Sequence, residues 1–83
     1  MKKKIAILGS TGSIGQSILK IIARDKNNFK IELVTANKNY KEILNQAKKY
    51  NIKNIIITDK KYFHIAKLKI NKKKLIFIII LIV

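Results

Sequence analysis

The sequence predicts an α/β fold in which strands of a parallel sheet alternate with helices. Two observations predict it. Short isoleucine-rich runs recur between segments whose apolar residues keep helical spacing, in the order β-α-β-α-β-α. The chain's only three glycines, Gly9, Gly12 and Gly15, fall together at the first strand-to-helix turn.

Each element has its own signal. Ile5–Leu8 is a continuous apolar run ending at a glycine, which suits a strand buried on both faces. From Ser13 the period changes. Ile14, Ile18, Ile21 and Ile22, widened by Leu19, make an apolar helical face opposite Gln16, Ser17 and Lys20. That helix should end near Asp25–Asn28. Lys30–Ala36 reads as the second strand and Asn37–Asn39 as a polar turn. Tyr40–Tyr50 reads as the second helix, with Ile43, Leu44 and Ala47 on one face, and Asn51–Lys53 as the next turn. Asn54–Thr58 carries three consecutive isoleucines and reads as the third strand. Asp59 is placed to cap a third helix over about Lys60–Lys69. Crossovers between such strands are right-handed. The tail, basic and then wholly apolar from Leu75 to Val83, is expected to be irregular.

Composition excludes several functions. The chain has no cysteine, hence no disulfide and no thiolate metal site, and a single histidine, His64, cannot build a histidine-ligated one. Nineteen Lys and Arg against four Asp and Glu give a formal charge of +15. The lysines are spread along the chain, and the few aromatic residues do not interleave with them as a stacking platform for single strands requires. Abundant Lys, Ile and Asn fit A/T-rich codons, so neither a nucleic-acid nor a membrane partner is expected. The start, MKKKIAILGS, has too short an apolar run for a secretory signal. The apolar end is far short of the roughly 20 residues that cross a bilayer as a helix. A cytoplasmic location is expected.

The chemistry concentrates in Gly9-Ser10-Thr11-Gly12-Ser13-Ile14-Gly15. The spacing G-x-x-G-x-x-G between a strand and an amphipathic helix predicts a Rossmann-type dinucleotide loop. Gly9 would allow backbone angles that a side chain forbids. Gly12 would let the backbone approach a pyrophosphate, and Gly15 would let the helix pack closely. Free N–H groups near Gly12 to Ile14 would face the phosphate, with Thr11 and Ser13 hydroxyls beside them. The missing G-K-[ST] argues against a Walker A loop. At the end of the second strand, where NAD-preferring units carry an acid, stands Ala36-Asn37-Lys38-Asn39. Lys38 would attract a ribose 2′-phosphate, so NADP(H) is expected over NAD(H).

The string KKIAILGSTGSIG, with the segments following it to about Phe63, resembles the amino terminus of the 1-deoxy-D-xylulose 5-phosphate reductoisomerase family. The resemblance implies NADPH bound by Thr11, Gly12, Ser13 and Ile14, within a loop that includes Gly9 and Gly15. It also implies a role for the turn Asn37-Lys38-Asn39. That turn is usually Gly-Lys-Asn in the family, and Asn tolerates left-handed angles better than most residues. The family enzyme forms 2-C-methyl-D-erythritol 4-phosphate, is homodimeric, and uses Mg or Mn held by an Asp and two Glu from later segments. No residue here matches that metal motif or a catalytic role. Residues 1–66 are therefore expected to form a partial NADPH-binding domain and 67–83 a divergent tail, in a truncated or frameshifted product inactive by itself. A stand-alone nucleotide-binding module and a basic nucleic-acid or membrane-surface binder are the alternatives.

Overall fold

The computed structural model describes residues 2–73 and 78–81. Among them, the elements are β1 (Lys3–Ile7), α1 (Ser13–Ala23), β2 (Phe29–Ala36), α2 (Tyr40–Tyr50), β3 (Asn54–Ile57), α3 (Lys60–Lys73) and β4 (Ile78–Leu81). The four strands make one parallel sheet in the order β1-β2-β3-β4. The predicted β-α-β-α-β unit is present, and its sheet is parallel.

Two expectations about the C-terminal part change. The third helix runs to Lys73, one turn beyond the end expected near Lys69. Phe63, Ala66 and Ile70 recur along one face and are buried, so the apolar period outlasts the lysines around it. The tail expected to be irregular carries β4, which pairs with β3 from Asn54↔Ile78 to Ile57↔Leu81. Residues 74–77 and 82–83 of that tail lie outside the described residues. No helix among the described residues is long and apolar enough to cross a membrane.

Each crossover steps to the next strand in the same direction, so crossovers of one hand put all the helices on one face. The core confirms it. Ile7, Val34, Ala36, Ile55 and Ile57 from the sheet join Leu19, Ile43, Ala47, Phe63 and Ala66 from the helices in a single cluster. Fully burying a side chain such as Ile55 stabilises by about 1.5–3 kcal/mol. The ion pair of Lys30 with Glu32, 3.3 Å long and largely in solvent, contributes about 0–1 kcal/mol. Burial of aliphatic side chains therefore holds this fold together.

One-sided packing corrects two further expectations. The alternate positions of β1 are not buried on both faces: Ala6 is exposed, and Leu8 just beyond the strand is 75% exposed. On α1 the core face is Gly15, Leu19 and half-buried Ile22, whereas Ile14, Ile18 and Ile21 lie in an exposed stripe. With Leu19 the isoleucines make an apolar arc wider than the one the sheet covers.

α2 shows how local sequence sets a boundary. Asn39 accepts the Glu42 N–H at its start. At its end Asn51 takes the left-handed conformation, φ 56°, and Ile52 N–H reaches the Ala47 carbonyl at 2.9 Å.

Candidate functional site

The glycine loop leaves the C-terminal end of β1 and turns into α1. Gly9 has φ +68°, the left-handed region predicted for it. Gly15 is enclosed: a Cβ there would meet the Gly9 carbonyl oxygen at 2.1 Å and Ser10 Cα at 2.8 Å. The first turn of α1 thus lies directly on the loop backbone. Gly12 differs from both. Its backbone is extended, and a Cβ would meet only the Gly9 oxygen at 3.6 Å, an ordinary contact. The fold requires glycine at 9 and 15 and does not require it at 12.

The start of α1 is open in a second sense. Gly12 is its N-cap and offers no side-chain acceptor. The starts of α2 and α3 are served by side chains: Asn39 accepts the Glu42 N–H, and Asp59 accepts the Tyr62 N–H at 3.2 Å. The first N–H groups of a helix have no intrahelical partner, and the helix end carries roughly half a positive charge. At α1 those groups are left to an anion or to water. Ser13 and Ile14 are exposed there, and Thr11 is half-buried. The Thr11 carbonyl accepts the Gln16 side-chain amide at 2.8 Å, which pins the loop against the helix.

Two residues outside the predicted set hold this loop in place. Ser10 is completely buried, and its hydroxyl donates to Gln46 Oε1 at 2.7 Å, while Gln46 Nε2 donates to the Ser10 carbonyl at 2.8 Å. Thr35 of β2 adds a second tether. Its Oγ1 accepts the Gly9 N–H at 2.9 Å and its carbonyl accepts the Ser10 N–H at 3.0 Å. The sequence carries a signal for Gln46: a polar residue three positions after Ile43, on the buried face of α2. Replacing Gln46 with leucine strands the Ser10 hydroxyl and carbonyl in the core. The expected cost is about 2–3 kcal/mol, read as a lower midpoint in urea unfolding at unchanged slope.

The turn after β2 lies at the same, C-terminal edge of the sheet. Asn37, Lys38 and Asn39 are all exposed. The expected left-handed angle at Asn37 is absent, since Asn51 is the non-glycine residue with positive φ among those described. The turn closes instead through hydrogen bonds: Asn37 accepts from Thr58 and Asp59, and the Lys38 carbonyl accepts the Tyr40 N–H at 2.8 Å. Asparagine therefore fits here by its side-chain oxygen and needs no special backbone. Glu32, the nearest acid before the turn, pairs with Lys30 farther back on β2. No group of three His, Cys, Asp or Glu side chains that could hold a metal ion occurs among the described residues.

Comparisons with known proteins agree with this geometry. The family model described as 1-deoxy-D-xylulose 5-phosphate reductoisomerase matches residues 5–81. The reductoisomerase of that name from Pelagibacter ubique is 59% identical over 76 residues, covering 90% of this chain and 20% of its own length. The Zymomonas mobilis reductoisomerase, solved in complex with NADPH, superposes with a TM-score of 0.85 at 28% identity. It covers 98% of this chain and 21% of that one. A second reductoisomerase structure, in complex with magnesium, gives a TM-score of 0.87 at 28% identity, covering 98% of this chain and 20% of its own. The chain spans about a fifth of the length of the curated relatives it matches. The matched span runs beyond His64 to residue 81.

Proposed function

The chain belongs to the 1-deoxy-D-xylulose 5-phosphate reductoisomerase family, and from that membership we propose that it supplies the NADPH-binding part of such an enzyme. The observation that carries the proposal is Gly12. No steric demand of the fold calls for a glycine there, while a dinucleotide pyrophosphate seated on the start of α1 would. Backbone N–H groups of Ser13 and Ile14 then hold the phosphate oxygens, and the Thr11 and Ser13 hydroxyls add donors. Gly9 and Gly15 shape the loop. Asn37, Lys38 and Asn39 flank the adenosine ribose, with Lys38 on its 2′-phosphate.

Bound NADPH supplies a hydride. The residues on this chain grip and orient that cofactor, and the rearrangement and reduction of the sugar phosphate belong to the rest of the family fold. The described residues offer no carboxylate set for the magnesium seen in the related structure, so no step is assigned to a metal here. Sugar phosphate as substrate and a second copy as partner are likewise proposed only for the whole enzyme. A cytoplasmic location is proposed for the whole enzyme in the same way.

The test is cofactor choice. Titrating the chain with NADPH and NADH, followed by nicotinamide fluorescence, should show a preference for NADPH. Lys38→Glu should remove it. A charge-assisted contact is worth about 1.5–3 kcal/mol, so NADPH affinity should fall roughly 10- to 100-fold with little change for NADH. A preference that survives the substitution would refute the role of Lys38.

A further inference from the structure

The turn that carries Lys38 is held by a contact from another strand. Thr58, one residue past β3, donates its hydroxyl to Asn37 Oδ1 at 2.9 Å. Its neighbour Asp59 donates its N–H to the Asn37 carbonyl at 3.1 Å, and Thr58 N–H donates to the Ala36 carbonyl at 3.1 Å. Asn37 is thus gripped at its side chain and at its backbone by two consecutive residues. One hydrogen bond would leave the residue free to pivot about it. The second removes that freedom and fixes the base from which the Lys38 side chain extends.

The direction of the Thr58 bond matters as well. An amide has one acceptor oxygen and one NH2 group. With Oδ1 taken by the Thr58 hydroxyl, the donor edge of Asn37 is the edge left over. It lies in an exposed turn beside an exposed lysine. Two N–H donors and one ammonium next to one another suit a phosphate or a ribose oxygen. Without the hydroxyl the amide could turn over and present its oxygen, which repels an anion. Both partners face solvent, so the bond adds little to global stability. Its effect lies in orientation.

Resting on the NADPH reading above, we propose that Thr58 is a positioning residue for cofactor choice: through Asn37 it sets the donor edge and the lysine that receive the 2′-phosphate. It touches no cofactor atom itself. The experiment compares NADPH and NADH dissociation constants for the 83-residue chain and its variants. Thr58→Val keeps the β-branched shape and loses the donor. It should lower the NADPH-over-NADH preference roughly 2- to 10-fold, entirely through NADPH, with unchanged thermal unfolding. Thr58→Ser should restore the preference. In an Asn37→Ala background Thr58→Val should change nothing further, because the residue acts only through Asn37.

A preference that persists in Thr58→Val overturns the positioning role while leaving the NADPH reading intact. Equal loss of both cofactors in Thr58→Val overturns it too, since that is the signature of a structural role. A wild-type chain with no preference for NADPH overturns both.

Discussion

Gly15→Ala is expected to cost about 3 kcal/mol or more, the upper range for forcing an atom into a packed site. The new methyl would sit 2.1 Å from the Gly9 carbonyl oxygen, and backbone must move to admit it. Two kinds of movement are open, and both are expensive. Shifting the loop pulls Ser10 away from Gln46 and Thr35, leaving buried polar groups unpaired. Shifting α1 pulls Leu19 out of the core, where it is 1% exposed. At about 4–8 °C per kcal/mol for a domain of this size, the melting temperature should fall by well over 10 °C. Circular dichroism during heating reads it directly. A shift of a degree or two would mean that the helix does not lie on the loop as described.

Gly12→Ala should do the opposite. Its backbone is extended and has room for a methyl; the lower unfolded-state entropy of alanine offsets its poorer fit at an N-cap, so stability should change by less than about 1 kcal/mol. The cofactor should suffer. On the proposed reading a methyl at the start of α1 stands where the pyrophosphate would approach the backbone, and NADPH affinity should drop on the order of 10-fold or more, about 1.4 kcal/mol for each factor of ten. Both nicotinamide cofactors should weaken alike, because the pyrophosphate is common to them. That separates this position from Lys38 and Thr58, whose effects should appear with NADPH alone. The pair of glycine variants divides one motif into a part that serves the fold and a part that serves the ligand. Stability lost at Gly12 with affinity kept would reverse the assignment.

Much of this was legible in the residues. α2 begins and ends where its apolar period and flanking asparagines place it, at Tyr40 and Tyr50. The left-handed angle at Gly9 and the tight packing at Gly15 follow from strand-turn-helix geometry once the motif is placed. What escaped had two physical sources. Periodicity reports which residues are apolar and not which arc of a helix finds a partner, so the stripe of Ile14, Ile18 and Ile21 looked like the core face of α1 while Leu19 carries the burial. The contacts that lock the site join residues far apart in the chain, 36 positions for Ser10 and Gln46 and 21 for Asn37 and Thr58. No local pattern announces such pairs, and a lone glutamine on an apolar helix face was the faint trace of one. β4 escaped because a short, wholly apolar run has the same composition in a buried strand as in an unstructured tail.

A sheet whose spatial order repeats its chain order has a consequence for assembly in time. Each strand pairs with the one made just before it, so no strand must wait for a distant partner, and every closure spans a single helix. A chain emerging from its amino terminus can lay this sheet down one unit after another. The tethers of the glycine loop, to Thr35 and Gln46, are all in hand by residue 46. The contacts that fix the lysine turn come from Thr58 and Asp59. In order of synthesis the glycine loop is tied down first, and the turn that carries Lys38 is fixed a strand later.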